Sequence, residues 1–153
     1  MAKFSFRLQS VLNLKIRLEE QQRNVFASTR KRLGDEEEKL DTLYARKEFY
    51  EEEGRGMLKE SLHVMDIMAN VNAIDRIKEY IAEQKVTIKF WENRVEEERQ
   101  KLVEMIKERK MYERLREKAF EEYMQEENHT EGVINDEHNS FVYGEKSRNK
   151  NAV

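Results

Sequence analysis

The residues able to do chemistry are few and badly placed for it. The chain has three histidines, His63, His129 and His138, and no cysteine. Neither a thiol nucleophile nor a thiolate metal site is available, and no histidine sits in an H-E-x-x-H frame. His129, Glu131, Asp136 and His138 are the nearest approach to a zinc set, and they read more simply as ordinary polar surface. Gly54 and Gly56 lack the Lys-Ser/Thr that follows the glycines of a phosphate-binding loop. Carboxylates abound, but general acid–base work needs a pocket that shifts their pKa. The sequence therefore predicts no catalytic residue, no cofactor and no metal.

Composition explains why no pocket is expected. Charged residues make up 40% of the 153 and apolar ones 38%, against about 25% charged in an ordinary globular domain. A thick core is out of reach; a narrow seam between long helices is not. Proline is absent, so nothing forbids long helices. No apolar run approaches the ~20 residues of a membrane span, and Met1 to Gln9 lack the apolar stretch of a signal peptide. The expectation is a soluble, cytoplasmic protein. The net charge of −3 argues against a nucleic-acid partner for the chain as a whole.

The seam is clearest in the second half. Ile74, Ile81, Ile88, Val95 and Leu102 recur every seven residues, with Ile77, Gln84, Trp91, Glu98 and Met105 three residues after each. This is an a/d heptad pattern, with Trp91 in the core. Beyond Leu102, Arg109 and Arg116 fall on the a positions and the apolar track drifts to Met105, Tyr112, Leu115, Ala119 and Tyr123. In the first half the stripe is Val11, Leu18 and Val25, then Leu33 and Leu40, with one extra residue near Gly34 that shifts its phase. Phe4 to Leu8 alternates briefly before the helical spacing begins.

These patterns predict an all-α protein: two long helices forming an antiparallel coiled-coil hairpin, with a disordered C-terminal tail. Helix one spans about 5–53, a connector about 54–71 and helix two about 72–127, which together form the hairpin over 1–127; 128–153 is a mobile tail. Gly54 and Gly56 mark the break, and Asn72 with Asp75 resembles a helix start. Residue 53 should face 73 and residue 10 should face 116, giving a rod of about 65 Å from about 44 paired residues. In a parallel homodimer Glu98 would meet its own copy, a costly arrangement that favours the hairpin and a monomer when free.

Charge is uneven along the chain. Met1 to Leu33 carries eight Lys/Arg and two acids, Gly34 to Glu60 five and ten, Arg99 to Lys118 eight and four. Folding back would place the two basic stretches together, a surface suited to an acidic partner. Val86, Phe90 and Phe49 fall outside the stripes, and Met57, Met65 and Met68 cluster near the turn; exposed aromatics and methionines suit partner contacts.

Phe4-Ser5-Phe6-Arg7-Leu8-Gln9-Ser10-Val11-Leu12, with Lys15 and Glu19, resembles the start of the flagellar export protein FliJ family. Glu108-Arg109-Lys110-Met111-Tyr112-Glu113-Arg114-Leu115-Arg116-Glu117-Lys118 is similar to that family's basic segment, and Glu122-Tyr123 with Asn135-Asp136-Glu137 to its ending. The resemblance covers residues 3 to about 140; the Met-rich connector and the polar extension after Asp136 depart from it. It implies a non-catalytic stalk and escort of the flagellar type III protein export apparatus. The implied partners are the export ATPase ring, the cytoplasmic domain of the export-gate membrane protein, and export chaperones. The implied location is the cytoplasm and the cytoplasmic face of the inner membrane at the flagellar basal body. Combined with the charge layout, it makes Phe4, Phe6, Arg7, Arg109, Lys110 and Arg114 candidates for contact with the ATPase, and Tyr44, Phe49, Ile77 and Tyr80 candidates for contact with the gate. The alternative is a generic coiled-coil scaffold or a stalk protein of a non-flagellar type III secretion system.

Overall fold

A computed structural model describes residues 3–60 and 63–152. Two α-helices account for nearly all of them: α1 (Gln9–Lys59) and α2 (Val64–Asn151). The chain divides into two compact units, the first formed by Met1–Arg17 with Ile106–Val153, the second by Leu18–Met105. In each unit a stretch of α1 packs antiparallel against a stretch of α2, and no strand occurs among the described residues.

Packing in the second unit follows the heptads of α2. Ile77, Ile81, Ile88 and Leu102 are buried, and Trp91 and Val95 half-buried. The opposing line on α1 differs from the expected one. Buried or half-buried positions there run Glu19, Gln22, Phe26, Thr29, Leu33, Glu36, Leu40, Leu43, Lys47 and Tyr50, with steps of four and three throughout. In the first unit Leu12 is buried while Val11 is only half-buried, and in the second Val25 is 44% exposed and Leu18 half-buried. The phase shift inferred near Gly34 therefore does not exist. The seam places polar residues, Glu19, Gln22 and Glu36, where an apolar pattern points to their neighbours Leu18 and Val25.

The break also moves. α1 runs through Gly54 and Gly56 to Lys59, and α2 begins at Val64, so most of the connector expected over 54–71 belongs to the two helices; its residues 61 and 62 lie outside the described residues. Gly54 is a point of close approach instead of a helix breaker. A Cβ on it would come within 2.5 Å of Asn70 Oδ1, and Asn70 Nδ2 donates to the Tyr50 carbonyl at 3.0 Å. Asn70 is buried for that reason, and it places residue 50 opposite 70 where equal arms had placed 53 opposite 73. The helix start lies earlier than Asn72: the amide groups of Asp66 and Ile67 donate to the His63 carbonyl at 3.0 and 3.3 Å, with Asp66 in the positive first turn. Residues 128–151, expected as a mobile tail, continue α2. No proline interrupts them, and the lone glycines Gly132 and Gly144 lower helix propensity without breaking the hydrogen-bond ladder.

Candidate docking surfaces and the pins that hold them

The seam of the second unit contains two polar layers of the same construction. Gln22 Nε2 donates to Glu98 Oε2 at 2.6 Å and to the Glu98 carbonyl at 3.0 Å. Gln84 Nε2 donates to Glu36 Oε2 at 2.6 Å and to the Glu36 carbonyl at 2.9 Å. In one layer the glutamine comes from α1, in the other from α2. Each glutamate carries an arginine four residues before it and a lysine three after. Arg32 and Lys39 lie 3.1 and 3.2 Å from Glu36; Arg94 and Lys101 lie 3.6 and 3.4 Å from Glu98. The sequence thus repeats Gln22, Arg32, Glu36 and Lys39 as Gln84, Arg94, Glu98 and Lys101, related by a local twofold in the antiparallel pair.

Both carboxylates are 3% exposed, yet their pKa values are lowered. The glutamine hydrogen bond is the main cause in each, outweighing the opposing effect of burial, with Lys39 and Arg32 or Lys101 and Arg94 adding attraction. A buried charge is tolerated when its lone pairs are met, and no buried side-chain polar atom among the described residues lacks a partner. Sliding either helix by a heptad would strand both glutamates. The pairs therefore fix register, as single polar a or d residues do in coiled coils. Glu19, 4% exposed, is a third buried acid and pairs with Arg23 at 2.8 Å.

In the first unit the amino-terminal segment is anchored by Phe4. Its ring meets Phe120 edge-on at 5.2 Å and Tyr123 at 5.4 Å, with the Arg116 guanidinium 5.6 Å from the ring centre. Arg116 Nε also donates to Gln9 Oε1 at 2.9 Å. Lys15 reaches Glu108 at 2.8 Å, a hydrogen bond that raises the lysine pKa. Of the two basic a positions, Arg116 reaches the amino-terminal segment, while Arg109 is half-buried and bonds both oxygens of Glu113 on its own helix at 2.9 Å.

The candidate ATPase contacts separate into two groups. Phe4 and Phe6 are half-buried and Arg109 is committed to Glu113, whereas Arg7, Lys110 and Arg114 are exposed. Lys110 and Arg114 line a shallow outward groove with Lys107, Met111, Leu115 and Lys118. Of the candidate gate contacts, Ile77 is 6% exposed and lies in the seam, while Tyr44, Tyr80 and Phe49 are 41%, 49% and 63% exposed. Lys85 Nζ lies 5.8 Å from the centre of the Tyr44 ring. Tyr80 borders a groove shared with Lys39, Thr42, Leu43, Glu83 and Thr87. The exposed gate candidates sit on the second unit, whose register is set by the two Gln–Glu layers.

Comparison with protein families finds a match over residues 4–148 to a family described as "Flagellar FliJ protein". The chain belongs to the FliJ family. FliJ is a non-catalytic structural and escort family, and the chain is accordingly a coiled-coil protein of flagellum biogenesis and protein export whose partners lie in the flagellar export apparatus. Searches of curated proteins and of solved structures return no match. No helix among the described residues is long and apolar enough to cross a membrane.

Proposed function

We propose that this FliJ-family chain is the stalk that links the export ATPase ring to the cytoplasmic part of the membrane export gate and assists delivery of chaperones and their cargo. The first unit takes the ring, through Arg7, Lys110 and Arg114. The second takes the gate, through Tyr44, Phe49 and Tyr80. The reading rests above all on the exposed cations Lys110 and Arg114, which have no ion partner among the described residues and whose repulsion an acidic partner would relieve. Ring binding and release would act through a helix pair kept in register by Gln22–Glu98 and Gln84–Glu36. The place of action is the cytoplasmic face of the inner membrane at the basal body.

The test is titration of the purified chain with the export ATPase at low and moderate salt. Lys110→Glu with Arg114→Glu should weaken binding at least tenfold and flatten its salt dependence. Binding that is unaltered at low salt would reject this placement. Arg109 is excluded from the variant because its loss would also free Glu113. Deletion that abolishes motility and leaves effector secretion intact separates a flagellar stalk from a non-flagellar one.

A further inference from the structure

Two outward faces of this chain are each other's complement. On α2 of the first unit, Lys110, Arg114 and Lys118 stand four residues apart, forming a column of like charge beside Met111 and Leu115, which are 51% and 42% exposed. On α1 of the second unit, Glu38, Asp41, Glu48 and Glu52 share one face with Ala45 and with Phe49, which is 63% exposed. None of these seven charged side chains has an ion partner among the described residues. Each column opposes itself, since like charges at helical spacing destabilise. Each also brings exposed apolar surface into the middle of the charge, the usual composition of a helix-docking face. Opposite charges flank both faces, Glu117, Glu121 and Glu122 on the basic side and Arg46 and Arg55 on the acidic side.

We propose that a second copy of this chain docks here, the acidic face of one molecule against the basic face of the next, with Phe49 lying between Met111 and Leu115. The contact is heterologous: it joins two different patches, so a molecule engaged through one face still has the other to offer a further copy. It uses the cations assigned above to the ATPase, so a molecule bound to its own kind cannot bind the ring through them. The proposal itself does not rest on the export reading, because self-association is measured on the chain alone.

Sedimentation equilibrium of the full chain tests it. In about 10 mM salt, where the Debye length is about 30 Å, the weight-average mass should climb with concentration; in about 1 M salt, where it is about 3 Å, it should return to the monomer, 18.5 kDa. Two triple variants sharpen the test: Lys110→Glu, Arg114→Glu, Lys118→Glu, and Glu38→Lys, Asp41→Lys, Glu48→Lys. Each alone should remain monomeric at low salt, and an equimolar mixture should associate again. A native chain that stays at 18.5 kDa at every concentration in low salt overturns the proposal, as does a mixture that fails to associate. If circular dichroism shows a variant unfolded, the salt series on the native chain decides alone.

Discussion

Four side chains, Gln22, Glu36, Gln84 and Glu98, decide how the two helices meet. Removing one partner leaves a buried charge short of a donor, which costs about 1–3 kcal/mol. Gln22→Ala or Gln84→Ala should lower the urea midpoint accordingly. Replacing a whole layer, as in Gln22→Leu with Glu98→Leu, should leave stability equal or higher, because buried ionic groups are often worth less than a packed apolar pair. What should be lost is uniqueness of register, read as extra cross-links between positions a heptad apart. The pH dependence has a fixed sign. The folded-state pKa of Glu36 and of Glu98 is below the ordinary carboxylate value of 4.5, so their contribution is full above that value and is lost as pH falls through the lowered folded pKa. A denaturation series from pH 7 downward should show stability flat to about pH 5 and falling below it. Gln22→Ala together with Gln84→Ala should blunt that fall.

At the scale of the helices, two glycines that look alike in sequence have opposite roles. Gly34 has nothing within 4 Å of where a Cβ would stand, whereas Gly54 has Asn70. Gly34→Ala should stabilise by about 1 kcal/mol through helix propensity. Gly54→Ala should gain the same propensity yet come out destabilising, because Asn70 must give up its place against Tyr50. Thermal denaturation of the two variants compares them directly. The heptads of α2 were fully legible in the sequence because its a line is apolar from Ile74 to Leu102. The seam of α1 was not, since an apolar-only count steps over Glu19, Gln22 and Glu36 and lands on Val25. The signal that would have found it is the repeat of Gln, Arg, Glu and Lys at matching spacings in both halves. The ends of the helices are hidden in the sequence for a related reason: Gly54 reads as a break although its small size serves helix–helix approach, and the stretch after Asn128 has no apolar stripe, although a helix needs no buried stripe to keep its own hydrogen bonds.

For the whole molecule, family membership and two-helix architecture are readable from short motifs and heptads, while the candidate docking faces are readable mainly as charge bias. The fold narrows that bias by showing which cations are already paired. Arg109 and Arg116 are held within the first unit; Lys110 and Arg114 face outward. Partner binding should therefore follow Lys110 and Arg114, and Arg116→Ala should instead loosen the amino-terminal segment, seen as faster proteolysis near Phe4 and Phe6.

Everything above depends on α1 folding back on α2 of the same chain in one register. The chain has no native cysteine, so Gly54→Cys with Asn70→Cys tests it cleanly; a Cβ at 54 would stand 3.3 Å from Asn70 Cγ, close to where the sulfur of a cysteine at 70 would lie, so the two can be bridged. Mild oxidation should close the bond inside a single chain at monomer mass, and Gly54→Cys with Ile77→Cys, one heptad away, should not close. Covalent dimers alone, or equal closure of the shifted pair, would show that the helices do not pair this way.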